Sequence, residues 1–229
     1  MKRHLSVVAF ILLAATLAAH GQNLEAVLDA MDRAAAGFQT AQADFVWDNY
    51  TKVVDQHELQ NGVMYVRRQG DDVQMAADIT SPPTEKKYVL FTGGKVSVYA
   101  PGPNTVTEYN AGKNKSDFET FLVLGFGGRG HDLSKSFDVK YAGTEQVQGV
   151  KAAKLELTPK SQKVSNMFKT ITLWIDTSRG VSVQQLFMNG QGDYRMTKYS
   201  NIKLNGKLPN DVFKLKTSGK VTYIRPNAQ

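Results

Sequence analysis

Between Lys169 and Lys216 the apolar and polar positions alternate in short runs separated by turn signals. Ile171, Leu173 and Ile175 alternate with Thr170, Thr172 and Trp174, the period of two expected of a strand with distinct faces. Asp176-Thr177-Ser178-Arg179-Gly180 interrupts the run as a loop. Val181, Val183, Gln185 and Phe187 then alternate with Ser182, Gln184, Leu186 and Met188. Asn189-Gly190-Gln191-Gly192 supplies residues that tolerate positive φ in a tight reversal, and a third strand follows over Asp193 to Tyr199. Strands joined this closely predict an antiparallel meander, because parallel neighbours need a crossover of about a dozen residues or more. Apolar side chains occupy both alternation sets, so both faces of the sheet are expected to be covered.

The rest of the chain repeats this pattern around two helices. From Asn23, Leu24, Val27, Leu28, Met31, Ala35 and Phe38 form one stripe on a 3.6-residue period, with Glu25, Asp29, Asp32 and Arg33 opposite and Gly37 near the end. Strands are predicted over Gln42 to Val54, Gly62 to Arg68, Val73 to Ile79, Lys87 to Thr92, Lys95 to Ala100 and Asn104 to Asn110, separated by Gly, Pro, Asn and Asp clusters. Ser116-Asp117-Phe118-Glu119 has the form of a capping box. The short helix it opens carries Phe118, Phe121, Leu122, Val123, Leu124 and Phe126 and is apolar almost all round, as a buried or covering helix is. It stops at Gly127-Gly128. Strands resume at Phe137 to Ala142 and Lys151 to Leu157, continue through the meander, and end at Asn201 to Leu204, Val212 to Lys216 and Val221 to Ile224. The expectation is a mainly β fold of about eleven strands, sandwich- or barrel-like, with two helices and no internal repeat.

The N-terminus changes the picture of where this sheet works. Lys2-Arg3-His4, an uncharged run from Leu5 to Ala19 and the small residues of Ala19-His20-Gly21 predict a secretory signal over 1–21, too short in its apolar part for a spanning helix. Residues 22–229 are then expected to form one domain. Removing the signal takes Lys2 and Arg3 and lowers the formal charge from +7 to +5. Lys and Arg are interleaved with Asp and Glu and form no basic stripe, which argues against nucleic acid as a partner. The sequence has no cysteine, which excludes disulfides, thiolate metal sites and an N-terminal lipid anchor on cysteine.

Catalytic and metal-binding patterns are missing from the sequence. Past the signal only His57 and His131 remain, without metal-ligand spacing, and neither a Gly-x-Ser-x-Gly nor a phosphate-binding Gly-x-x-x-x-Gly-Lys occurs. Gly125-Phe126-Gly127-Gly128-Arg129-Gly130 matches Gly-x-Gly-x-x-Gly literally, but it closes a helix instead of linking a strand to one. It therefore predicts a flexible loop able to act as a hinge for the covering helix. No enzyme activity, catalytic residue, metal or cofactor is expected. The aromatic set Phe45, Trp47, Phe91, Tyr99, Phe121, Phe126, Trp174 and Phe187 exceeds what two helices can cover on so large a sheet, which leaves room for an apolar guest.

The order of elements, together with Phe45, Gly62-Val63-Met64-Tyr65-Val66 followed by Arg67 and Arg68, Gly94-Lys95 leading to Tyr99 and Pro101, the segment Phe118 to Leu124, Phe213-Lys214-Leu215 and Gly219-Lys220-Val221, resembles the LolA family of periplasmic carriers of outer-membrane lipoproteins. The resemblance covers essentially all of residues 22–229. It implies an incomplete antiparallel β-barrel whose concave face, covered by helices, shields the acyl chains of a lipoprotein passing from the inner to the outer membrane through the periplasm. It assigns Phe45, Trp47, Val73, Met75, Phe91 and Tyr99 to the acyl-binding wall, Phe121, Leu122 and Leu124 to the lid, and a gating basic role to Arg67 or Arg68. Gln69-Gly70-Asp71-Asp72 stands where the family places a proline and aromatic residues after that base. The implied partners are acylated lipoproteins or other lipids, an inner-membrane ABC-type release complex and an outer-membrane receptor, with the carrier itself a monomer. The same superfold includes periplasmic regulators that sense lipids or lipoproteins, the alternative function.

Overall fold

The computed structural model describes residues 23–70, 72–110 and 124–226. The expected signal over 1–21 and most of the apolar helix after the capping box, with Phe121 and Leu122, lie outside the described residues. Twelve strands form one sheet: β1 (Thr40–Thr51), β2 (Gln56–Gln69), β3 (Asp72–Ser81), β4 (Lys87–Thr92), β5 (Lys95–Ala100), β6 (Thr105–Asn110), β7 (Phe137–Val147), β8 (Val150–Pro159), β9 (Thr170–Asp176), β10 (Val181–Met188), β11 (Tyr194–Leu204) and β12 (Thr222–Ile224). Their spatial order is β12-β6-β5-β4-β3-β2-β1-β11-β10-β9-β8-β7. Every neighbouring pair is antiparallel except β12 on β6, which is parallel. The result is the open, curved antiparallel sheet of an incomplete barrel.

Three helices are described: α1 over residues 23–36, α2 (Leu133–Ser136) and α3 (Gln162–Met167). The stripe predicted on α1 is the one it buries, with Val27, Leu28, Met31, Ala35 and Phe38 all below a tenth exposed. Each large side chain in that stripe contributes about 1.5–3 kcal/mol of gross transfer energy, enough to hold a helix whose own propagation is marginal at this length.

The strand order dictates how the faces are covered. β6 and β7 stand near opposite ends of the sheet, and the segment that joins them is a crossover. The described part of that crossover, residues 124–136, lies on the face that carries Phe45 and Trp47, here the inner face. Leu124 joins a cluster with Leu28, Met31, Leu155 and Leu173, and Phe126 joins one with Phe38, Phe45 and Val66. After β11, residues 205–221 cross the outer face to reach β6. The Tyr88 hydroxyl donates to the Val212 carbonyl oxygen, the Arg67 guanidinium lies 4.3 Å from the Phe213 ring centroid, and Asn104 Nδ2 donates to the carbonyl oxygens of Ser218 (2.9 Å) and Lys220 (3.1 Å). Both faces are covered as alternation predicts, each by a strap of chain.

Several boundaries differ from the alternation reading. β2 begins at Gln56, six residues before the predicted start; Gln56 to Asn61 carries one apolar residue, Leu59, and all but Gln60 are exposed, so no core pattern marks them. The predicted strand Val212 to Lys216 is a turn within the outer strap, and β11 runs unbroken to Leu204. A bulge in β10 between Ser182 and Gln184 breaks the alternation there. Val183 consequently joins Trp174, Val147 and Ala152 in a small cluster, whereas Gln185 and Phe187 face inward. That cluster is closed by neighbouring side chains: Trp174 Nε1 donates to Glu145 Oε2 at 2.6 Å, and Lys154 Nζ lies 5.3 Å from its ring.

Candidate functional site

The inner face is close-packed at one end and hollow at the other. At the close-packed end the crossover touches the sheet and α1 through backbone. The Gly125 carbonyl accepts from Ser182 N at 2.8 Å, and Leu124 O accepts from Gln185 Nε2 at 2.5 Å. A Cβ on Gly125 would fall 2.3 Å from Ser182 Cβ, one on Gly127 2.3 Å from the Phe38 ring, and one on Gly130 2.5 Å from the Leu28 carbonyl oxygen. Gly125 and Gly127 also adopt φ near +80°. The Gly-x-Gly-x-x-Gly run, expected to be a flexible hinge, is therefore a close-approach seam, in which the missing side chains are what let the strap lie flat.

Charged groups fasten the same seam. Arg68 Nη2 donates to the Gly127 carbonyl oxygen at 2.6 Å and Nη1 to that of Ala35 at 3.4 Å, so one guanidinium ties β2 to both the strap and the end of α1. His131 Nδ1 stands 2.8 Å from Asp32 Oδ2, and its Nε2 stands 3.1 Å from Glu25 Oε2 on the same helix. Hydrogen bonds with Glu25 and Asp32 hold the imidazole above its ordinary value. Partial burial works against ionisation of Asp32, but His131 outweighs it and holds the carboxyl low.

Beside Leu124 and Phe126 a cavity of about 660 Å³ opens on the inner face. Trp47, Met64 and Met75 of β1–β3, Gln185 and Phe187 of β10, and Thr197 and Tyr199 of β11 form its wall. Leu124 and Phe126 form its roof, and Lys163, Met167 and Phe168, at and just after α3, close one side. The polar groups in the wall satisfy one another: Tyr199 OH donates to Gln185 Oε1 at 3.1 Å, and Gln185 spends its amide on Leu124 O. Burial pushes the Tyr199 phenol up, so it stays a neutral donor. What remains facing the hollow is largely hydrocarbon and aromatic ring. The rim is polar. Arg195 Nε donates to Asn49 Oδ1 at 2.9 Å with its guanidinium 5.5 Å from the Trp47 ring, and hydrogen bonds from Asn189 and the Lys52 amide hold the Asp193 carboxyl low.

The residues assigned from sequence distribute unevenly around this hollow. Trp47, Met75 and Leu124 line it. Phe45 is buried behind Trp47, ring centroids 4.5 Å apart, and Val73 is core of the same cluster. Phe91 pairs with Met75 on the inner face and is buried, away from the cavity lining. Tyr99 lies on the outer face: the hairpin pairs Phe91 with Val96 and Tyr88 with Tyr99, and its hydroxyl donates to Asn104 Oδ1 at 3.0 Å. Its assignment to the inner wall is corrected accordingly. The two arginines also part company, since Arg68 points to the seam and Arg67 to the outer strap, donating to Gln74 Oε1 at 2.5 and 3.0 Å. Sequence reasoning did not assign Met64, Phe168 and Tyr199 to the site, and counted Phe126 and Phe187 only within the aromatic surplus. Among the described residues no cluster of three or more His, Cys, Asp or Glu is placed to hold a metal ion.

With this geometry in hand, similarity to known proteins becomes informative. The family model "Outer membrane lipoprotein carrier protein LolA" matches residues 36–216. No curated protein is detectably similar in sequence. Among solved structures, that of MucB is 14% identical with a TM-score of 0.55, over 88% of this chain and 66% of MucB. An uncharacterized conserved protein from Thermus thermophilus is 13% identical with a TM-score of 0.54, over 87% of this chain and 96% of its own. The MucA/MucB complex of Pseudomonas aeruginosa gives 14% identity and a TM-score of 0.50, over 84% of this chain and 61% of that one. The chain thus spans about two thirds or less of the MucB chains, and these likenesses speak for the fold.

Proposed function

The chain belongs to the LolA family of outer membrane lipoprotein carrier proteins, and from that premise we propose that it is a periplasmic carrier holding the acyl chains of a lipoprotein in the inner-face cavity between the two membranes. One observation carries the reading: the hollow of about 660 Å³ is walled by Trp47, Met64, Met75, Phe187 and Phe168 with its polar atoms already paired, and its volume is typical of a ligand site. A chain of about fourteen carbons represents on the order of 11 kcal/mol of gross transfer energy at about 0.8 per methylene. A carrier has to approach what a membrane offers without exceeding it, and a cavity with a polar rim serves that balance. Trp47, Met75 and Leu124 contact the chain in this reading, Phe45, Val73 and Phe91 support the wall from behind, and Arg68 is the gating base. Loading from an inner-membrane ABC-type complex and delivery to an outer-membrane receptor complete the proposed cycle.

The two tryptophans provide the test, because Trp47 lines the cavity and Trp174 lies in the outer cluster. A fatty acyl chain brominated near its end should quench the emission of the Trp174→Phe variant and leave that of Trp47→Phe unchanged. Equal quenching of both variants, or of neither, sinks the cavity assignment. The fold likeness to MucB supports a second reading, a lipid- or lipoprotein-sensing module that holds a protein partner, as MucB does MucA. Native mass spectrometry of gently purified protein separates them: a bound lipid or lipopeptide supports the carrier, a stoichiometric protein complex the sensor.

A further inference from the structure

The β1–β2 turn follows directly on Asn49, Tyr50 and Thr51, which line the cavity, and carries two strongly exposed apolar side chains, Val53 at 89% and Val54 at 62%. Turn chemistry favours Gly, Asn, Asp or Pro at such a site, and Asp55 does take the left-handed position at φ 50°, yet the two residues before it are valines. Across the mouth Met167 is 46% exposed while also lining the hollow. Basic side chains lie at the base of this tip and along the neighbouring turn and rim: Lys52 lies over Gly192 and Lys169 runs along Gly190, and Arg195 stands on the rim. The nearby carboxylates are occupied locally. Asp193 accepts from Asn189 and the Lys52 amide, Asp55 accepts from the Tyr50 hydroxyl at 2.9 Å, Asp48 stands 2.8 Å from His57, and Glu58 accepts from Gln60.

Two exposed valines next to these basic side chains match the chemistry of an anionic lipid surface, which offers an apolar layer beneath negative headgroups. We propose that the Val53–Val54 tip inserts into the interface of an anionic bilayer and brings the cavity mouth against it, so that an acyl chain passes between membrane and cavity with little exposure to water. This inference rests on the carrier reading and adds the docking surface that such transfer needs.

The test is co-sedimentation of the purified protein with phosphatidylglycerol and with phosphatidylcholine vesicles, alongside uptake of a fluorescent fatty acid in the absence of vesicles. The wild-type protein should bind phosphatidylglycerol vesicles, weaken as salt is raised, and bind phosphatidylcholine poorly. V53D/V54D should lose vesicle affinity by about tenfold or more and keep fatty-acid uptake and the thermal midpoint. K52E/K169E should lose the preference for phosphatidylglycerol. Absence of wild-type vesicle binding, as expected if a protein partner covers the tip, overturns the proposal, and so does a V53D/V54D variant that binds like wild type. Vesicle binding without fatty-acid uptake would leave the docking surface standing and remove the carrier reading.

Discussion

The two ends of the inner face are built from the same strands and meet different fates. At the β10 start the crossover lies against the sheet at Gly125 and against Phe38 and α1 at Gly127 and Gly130, whose missing side chains let it descend to contact. At the β10 end the wall residues are Trp47, Phe187 and Tyr199, and the space between them and the strap stays open. A cavity next to a close-packed core normally collapses or fills, because lost dispersion contacts cost energy. Here the described strap is anchored at the close-packed end by backbone hydrogen bonds and by Arg68, and its Leu124 and Phe126 border the hollow. What fastens the strap at the one end thereby fixes the roof at the other.

The largest expected effect breaks the close-packed end. Gly127→Val combines a strained φ with overlap on Phe38 and should cost about 3 kcal/mol or more, read as a lower denaturant midpoint. Arg68→Ala removes the guanidinium from two carbonyls and should cost about 2 kcal/mol while speeding release of a bound acyl probe. Lysine at 68 should not restore either property, since it lacks the fork that reaches both acceptors. Trp47→Ala acts at the open end and sharpens the contrast: acyl-probe affinity should fall about tenfold, with a smaller change in stability than at Gly127. The smallest effect is electrostatic. His131 is held above its ordinary value, so its contribution is full below the unfolded pKa of about 6.5 and fades as pH rises through the raised folded value. Asp32 is held low, so its contribution is present above about pH 4 and fades as pH falls through the depressed value. The stability gap between wild type and His131→Asn should therefore be widest from about pH 4 to 6.5 and narrow toward pH 9. The His131 ring is exposed and Asp32 only partly buried, so solvent screening keeps it below about 1 kcal/mol.

Much of this architecture was legible in the sequence, and the misses share a cause. Alternation located β3 to β6 and the meander because one face of each is core, and the α1 stripe is the one that is buried. It failed for Gln56 to Asn61, where a strand is paired but every side chain except Gln60 stays in water. It failed again at Val183, where an extra residue shifts the phase. Tyr99 was recoverable: a two-residue Gly93-Gly94 turn pairs Thr92 with Lys95 and so Tyr88 with Tyr99, three positions from Phe91 and hence on the other face. Met64 and Tyr199 carried no signal of their own, since which core-facing residues border a hollow depends on where a distant strap stops.

The strand order ends at β12 on one side and β7 on the other, with no ladder joining them among the described residues. A cylinder of paired strands has a circumference set by its strand number and stagger, whereas a rolled sheet with free margins can uncurl slightly while every rung stays intact. In the proposed carrier, a change in curvature of this kind would admit tails of different thickness or number without breaking a backbone hydrogen bond.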